Sequence, residues 1–256
     1  MHPLKPLPLQ STGASSAPDP RPVLPATLQL KDGIPPSKLF AVGDIHGCYF
    51  KLLEALSWIE SVAPDGAEVV FLGDLVDRGA HSREVVEHIM KGPSRAEDLW
   101  ITIKGNHEAM MLEALDELRL GPSRLWGING GDATMASYGG TVPPEHIEWL
   151  RARPLYHETQ NHWFVHAGLM PDTHPEDEDE QTLLWMRNWE RYKGKYARHV
   201  VYGHTPSSVV GLLPHCTCLD TGACYGGPLT CAEFDRYSQS GPIALQGFGE
   251  DHPLAR

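Results

Sequence analysis

Basic residues are in short supply in this 256-residue chain: 21 Lys and Arg stand against 33 Asp and Glu, a formal net charge of −12. Affinity for nucleic acid comes chiefly from Lys and Arg at phosphates, so a broad DNA- or RNA-binding face is excluded and no nucleic-acid partner is expected. Long apolar runs are missing too. No stretch reaches the roughly 18 residues that span a bilayer, and the first residues lack the charged-then-apolar layout of a secretory signal. The expectation is a cytoplasmic protein with no membrane partner. Cysteine is sparse and odd in number, with Cys48, Cys216, Cys218, Cys224 and Cys231, which argues against a disulfide framework. The last four match no paired zinc knuckle and alternate as strand positions do, so they read as free structural thiols.

What is present divides the chain in three. Residues 1–37, rich in Pro, Ser and Ala, bury too little to repay the entropy of ordering and read as a disordered leader. Residues 38–237 carry the periodic apolar segments of one domain, and 41% hydrophobic content is ample for its core. Beyond about Asp235 the pattern fades, and 238–256 reads as a C-terminal tail.

Within the domain, apolar runs at 38–42, 68–72 and 99–103 read as strands, each followed by residues at helical spacing. Three strand–loop–helix units in series imply a largely parallel sheet, with chemistry outside the carboxyl ends of its strands. The stretch 121–140, rich in glycine around Trp126, either caps the cleft or forms a short helical subdomain. Strands then read at 162–166, 198–202, 216–220 and 229–234, with a helix over 181–192 between them. A second, more antiparallel sheet packed on the first accounts for these.

The polar residues ending these strands are Asp44, His46, Asp74, Asp77, Asn106, His107, His166 and His204. They combine hard oxygen with imidazole donors and include no cysteine, a set that suits Mn, Fe or Zn better than Ca or Mg. An Asp-x-His turn chelates one ion, a single Asp from the next strand bridges to a second, and Asn106, His166 and His204 complete that second ion. Taken singly, each Asp is an ordinary cap and each His an ordinary rim residue. Five junctions in order are harder to explain that way.

The motifs GDIHG, GDLVDRG and GNHE, with His166 in HAG and His204 in GHTP, resemble the signature set of the metallophosphoesterases. Within that superfamily the resemblance is to the bacterial and phage Ser/Thr phosphoprotein phosphatases, and it covers about Leu39 to Phe234. It implies an α/β fold, a four-layer α/β/β/α sandwich of two mixed sheets, around two divalent metal ions, Mn foremost. It implies that Asp44 and His46 bind the first ion, that Asp74 bridges, and that Asn106, His166 and His204 bind the second. By the same resemblance Arg78, Arg187 and Asn106 hold phosphate, His107 oriented by Asp77 is the general acid, and Glu108 supports the motif. Asp220 and Tyr225 line the cleft. The reaction implied is direct attack of a metal-bridging hydroxide on phosphorylated proteins or peptides, with small phosphoesters as in-vitro substrates. Diadenosine polyphosphate hydrolases share GDxHG but commonly lack the Asp of DRG and carry GNHD, so Asp77 and Glu108 favour the protein phosphatases. A non-catalytic binding module on this scaffold is a third reading, against which stands the full set of ligands. The acidic stretch 172–180 is left outside the motifs, either a solvated loop or a lid.

Overall fold

The computed structural model describes residues 35–117, 124–187 and 195–249. The leader expected over 1–37 therefore lies almost wholly outside the described residues, and the helix expected over 181–192 covers only Glu180–Trp185, the backbone turning extended at Met186, with 188–192 outside the described residues. Among the described residues ten strands form two five-stranded sheets. The first unit runs β1 (Lys38–Val42), α1 (Tyr49–Val62), β2 (Ala67–Phe71), α2 (Ser82–Lys91), β3 (Leu99–Thr102) and α3 (Asn106–Glu117). Short helical pieces follow: α4 (Arg124–Trp126), a wide turn over Gly127–Gly131, α5 (Asp132–Ser137) and α6 (Pro144–Arg151). The remainder is β4 (Tyr156–Glu158), β5 (His162–Val165), α7 (Glu180–Trp185), β6 (His199–Tyr202), β7 (Gly211–Leu213), β8 (Cys216–Cys218), β9 (Leu229–Phe234) and β10 (Ala244–Phe248).

The first sheet has the order β10-β9-β1-β2-β3, with β1, β2 and β3 parallel and β9 and β10 antiparallel. The second is ordered β4-β5-β6-β8-β7, parallel through β5, β6 and β8 and antiparallel only at its edges. Three expectations change here. The second sheet is not mainly antiparallel. Strand β9, expected in it, instead pairs with β1, where Leu39 faces Phe234 and Val42 faces Cys231. The tail expected over 238–256 contains β10, which extends the first sheet by pairing with β9. Only Gly247 and Phe248 of β10 are buried, and an edge strand so weakly apolar leaves little alternation to detect.

Three apolar layers follow from the period of two along each strand. Phe40, Val42, Val69 and Phe71 face the helices α1 and α2, where Leu52, Leu56, Val85 and Val86 close the layer. Leu39, Ala41, Val70, Leu72, Phe164, Val201, Ala232 and Phe234 meet between the sheets. Trp163, Val165, Val200 and Tyr202 pack outward with Leu183 of α7. The result is two mixed sheets flanked by helices. No described helix is long and apolar enough to cross a membrane.

At the amino-terminal end of β2 the inter-sheet seam is closed by charge. Glu68, 2% exposed, accepts hydrogen bonds from His157 Nε2 at 2.8 Å and from the Arg236 guanidinium. Burial acts to raise the Glu68 pKa, but His157 and Arg236 outweigh it and hold the carboxyl below its ordinary 4.5. A depressed folded-state pKa adds stability that is fully present above the ordinary value and lost as pH falls through the folded one. Glu68→Gln should lower stability at neutral pH by about 3 kcal/mol, since it leaves the largely buried Arg236 guanidinium without its carboxylate. In thermal melts the Tm gap from the parent should narrow as pH falls below 4.5; a gap unchanged in acid would contradict this.

Candidate metal centre

At the opposite end of the sheets, the turns leaving β1, β2, β3, β5 and β6 bring the expected polar residues together. Six non-glycine residues among those described have positive φ, and five belong to this set: His46 (44°), Asp74 (49°), Asp77 (73°), Arg78 (69°) and His204 (66°). Each costs on the order of 1–3 kcal/mol and persists only where neighbours over-determine it. Glu108 supplies much of that constraint. Its Oε2 accepts from the N–H groups of Asp74 (2.8 Å) and Gly105 (2.9 Å), and its Oε1 from those of Leu75 (2.7 Å) and Val76 (3.2 Å). Gly105 is needed where it stands, because a Cβ there would lie 2.2 Å from Asp74 Oδ1.

Asp74 is central and 1% exposed. Its Oδ2 lies 3.4 Å from His46 Nε2 and 3.9 Å from His107 Nε2, while Oδ1 lies 3.4 Å from His166 Nε2. Two groups of ligand atoms, each within 4.8 Å of one another, share this carboxylate: His46, Asp74 and His107; and Asp74, His166 and His204. Asn106 joins the second group, its Oδ1 2.8 Å from His166 Nε2 and 2.9 Å from His204 Nδ1. Asp44 accepts the N–H of His204 at 3.0 and 3.2 Å. Its carboxyl pKa is raised well above the ordinary value by burial, then by Asp220 and Asp74, and the His204 N–H relieves part of that repulsion.

The donor set fits divalent cations. The carbonyls of Leu72 and Val76 only accept, so His166 Nδ1 (2.7 Å) and His46 Nδ1 (2.8 Å) must donate to them. Burial lowers the pKa of both rings, His46 to about 3, keeping them neutral. Each Nε2 thus carries a lone pair and no proton. That of His166 faces the oxygens of Asn106 and Asp74, three electron-pair donors turned toward one point, which a cation would satisfy together.

The remaining expected residues gather beside this cluster. Arg78 donates from Nη1 to His46 Nε2 (2.5 Å) and from Nη2 to His107 Nε2 (2.8 Å), and its Cζ lies 5.4 Å from the centre of the exposed Tyr225 ring. His107 Nδ1 donates to Asp77 Oδ2 at 2.7 Å. Burial pulls the His107 pKa down, but Asp74 and Asp77 outweigh it and the net direction is up. Arg187 is exposed, donates to Thr205 Oγ1 at 3.2 Å, and its charge acts on His166, His204 and Asp220. Asp220 is buried, accepts from Gly222 N–H at 3.0 Å and has its pKa raised by burial. In the acidic stretch, Asp179 caps α7 through Thr182 N–H (2.7 Å) and Glu178 accepts from Met170 N–H (3.0 Å). Two contributors escaped the sequence reading: Trp126 and Thr134, whose side chains donate to Asp77. A buried tryptophan N–H needs an acceptor, which was the available signal.

Asp74→Asn should reduce Mn binding below two equivalents per chain in equilibrium dialysis, because one carboxylate serves both groups of donors. Two equivalents retained at parent affinity would contradict the shared role.

Comparison with known proteins agrees with this geometry. The model of the calcineurin-like phosphoesterase family matches residues 37–236. An asymmetrical bis(5'-nucleosyl)-tetraphosphatase of Geobacillus sp. (strain WCH70) is 30% identical over 230 residues, covering 77% of this chain and 90% of that one. Serine/threonine-protein phosphatase 1 of Salmonella typhimurium is 31% identical over 210 residues, covering 76% and 90%. A solved Saccharomyces cerevisiae protein serine/threonine phosphatase shares the fold, with TM-score 0.57 and 16% identity over 86% of this chain and 82% of that one. The chain is a hydrolase that belongs to the calcineurin-like phosphoesterase family.

Proposed function

We infer that the chain hydrolyses phosphate monoesters of serine and threonine in proteins and peptides, and small phosphoesters in vitro. The observation carrying this reading is the His107–Asp77 pair. An imidazole held by a buried carboxylate on Nδ1 presents Nε2 to the cleft beside Arg78 and Asp74. Proton donation of this kind is worth about 10²–10⁴-fold and matters most for a poor leaving group such as an alkoxide.

Two divalent cations, Mn, Fe or Zn, held by Asp44, His46, Asp74, Asn106, His166 and His204, would supply Lewis-acid withdrawal of charge and acidify water at the site. The chain's own groups do the rest. The planar forks of Arg78 and Arg187 match phosphate oxygens two at a time. The Asn106 side-chain amide would add a donor to the same phosphate. When a bound phosphate draws the Arg78 guanidinium away from His107 Nε2, that nitrogen, in the protonated ring that Asp77 favours and fixes through Nδ1, would give its proton to the departing serine or threonine oxygen.

Hydrolysis of dinucleoside polyphosphates is the second reading, favoured by what the Geobacillus relative is called. There the leaving group is a phosphate that departs without a proton. Rates on a phosphothreonine peptide and on diadenosine tetraphosphate separate the two: the inference expects a higher kcat/KM for the peptide, and the reverse order would overturn it. His107→Asn should slow the peptide about 10²–10⁴-fold and p-nitrophenyl phosphate much less, whereas equal slowing would remove the general-acid role.

A further inference from the structure

The glycine-rich stretch between α4 and α5 is not absorbed by the metal or phosphate roles, and its contacts converge on one carboxylate. Asp77 is 0% exposed. Its Oδ1 accepts from Thr134 Oγ1 at 2.7 Å and from Trp126 Nε1 at 2.9 Å. Its Oδ2 accepts from His107 Nδ1 at 2.7 Å and again from Trp126 Nε1 at 3.0 Å. Thr134 also receives the Asp77 N–H at 2.8 Å, so one hydroxyl ties down both the backbone and the carboxylate of that residue.

This geometry leaves the carboxylate no free rotation. The indole N–H straddles both oxygens and sets the plane of the group, the threonine anchors the oxygen away from histidine, and the remaining lone pair has one direction left, that of His107 Nδ1. The approach of the indole depends on Gly131, where a Cβ would lie 2.5 Å from the Trp126 ring. The same stretch holds the neighbouring arginine, because Arg78 N–H donates to Gly130 O at 3.2 Å.

We propose that Trp126 and Thr134 are positioning residues for the general acid: by fixing the carboxylate of Asp77 they aim His107 Nε2 at the leaving oxygen. The stretch 124–137 is then part of the catalytic apparatus without touching substrate. This rests on reading His107 as the acid, so His107→Asn serves as the reference variant.

The test uses the full chain and three substitutions. Thr134→Val removes the hydroxyl at constant shape, Thr134→Ser restores it, and Trp126→Phe removes the indole N–H. With Mn bound, Thr134→Val and Trp126→Phe should slow a phosphoserine peptide about 10–100-fold while p-nitrophenyl phosphate changes by a much smaller factor, and Thr134→Ser should follow the parent. With diamagnetic Zn bound, the downfield proton resonance of His107 Nδ1–H should shift or broaden in Thr134→Val and Trp126→Phe and stay in place in Thr134→Ser. Identical behaviour of Thr134→Val and Thr134→Ser in both measurements would overturn the proposal. If His107→Asn slows both substrates equally, the acid reading fails instead, and the resonance alone decides whether these residues orient the ring.

Discussion

The carboxylate of Glu108 sits at the head of α3 with four backbone N–H groups around it, three from the turn after β2 and one from the turn after β3. Every later feature of the site depends on that clamp. It joins the ends of two neighbouring parallel strands and holds Asp74 at positive φ, so that one oxygen faces His46 and His107 and the other faces His166. Asp74 in turn accepts the N–H of His107 at 3.0 Å, closing the loop between the two turns. The glutamate of GNHE is the residue that spans both strand ends in this chain.

Charge is distributed along the seam between the sheets in a way that separates stability from chemistry. Its middle is apolar. One end is closed by Glu68 with His157 and Arg236, an arrangement in which a buried anion is matched by an adjacent guanidinium and a ring N–H. At the other end burial raises the pKa of Asp44 and Asp220, and Asp74 adds to both, against backbone N–H groups and Arg78; Asp74 itself is held low by the His166, His107 and His46 rings around it. That end holds an excess of electron pairs with too few protons, the electrostatic condition for binding cations. The same excess draws the His107 pKa upward, so metal binding and proton donation are served by one set of negative groups.

Much of this was legible in the sequence for a reason visible in the structure. His46, Asp74, Asn106, His166 and His204 each end an apolar run, and parallel strands deliver their carboxyl ends to one edge whatever the order of the sheet. The helices α1, α2 and α6 fall where the periodicity places them. The three-residue strands β4 and β7 are too short for alternation to register, and β10 is too exposed. The partner of β9 was not legible, because a buried strand reads the same in either sheet and only long-range packing selects β1. Within the site, the acceptors that set the histidine tautomers are the carbonyls of Leu72 and Val76, and backbone groups leave no trace in residue identity. Trp126 and Thr134 lie some 50 residues from the carboxylate they hold, a contact no local pattern encodes.

The account stands or falls on one carboxylate serving two cations. The most direct measurement is an anomalous difference map from crystals grown with Mn. The prediction is two peaks flanking Asp74, one on the side of His46 and the other among Asn106, His166 and His204. A single peak, or a pair that does not share Asp74, would contradict it.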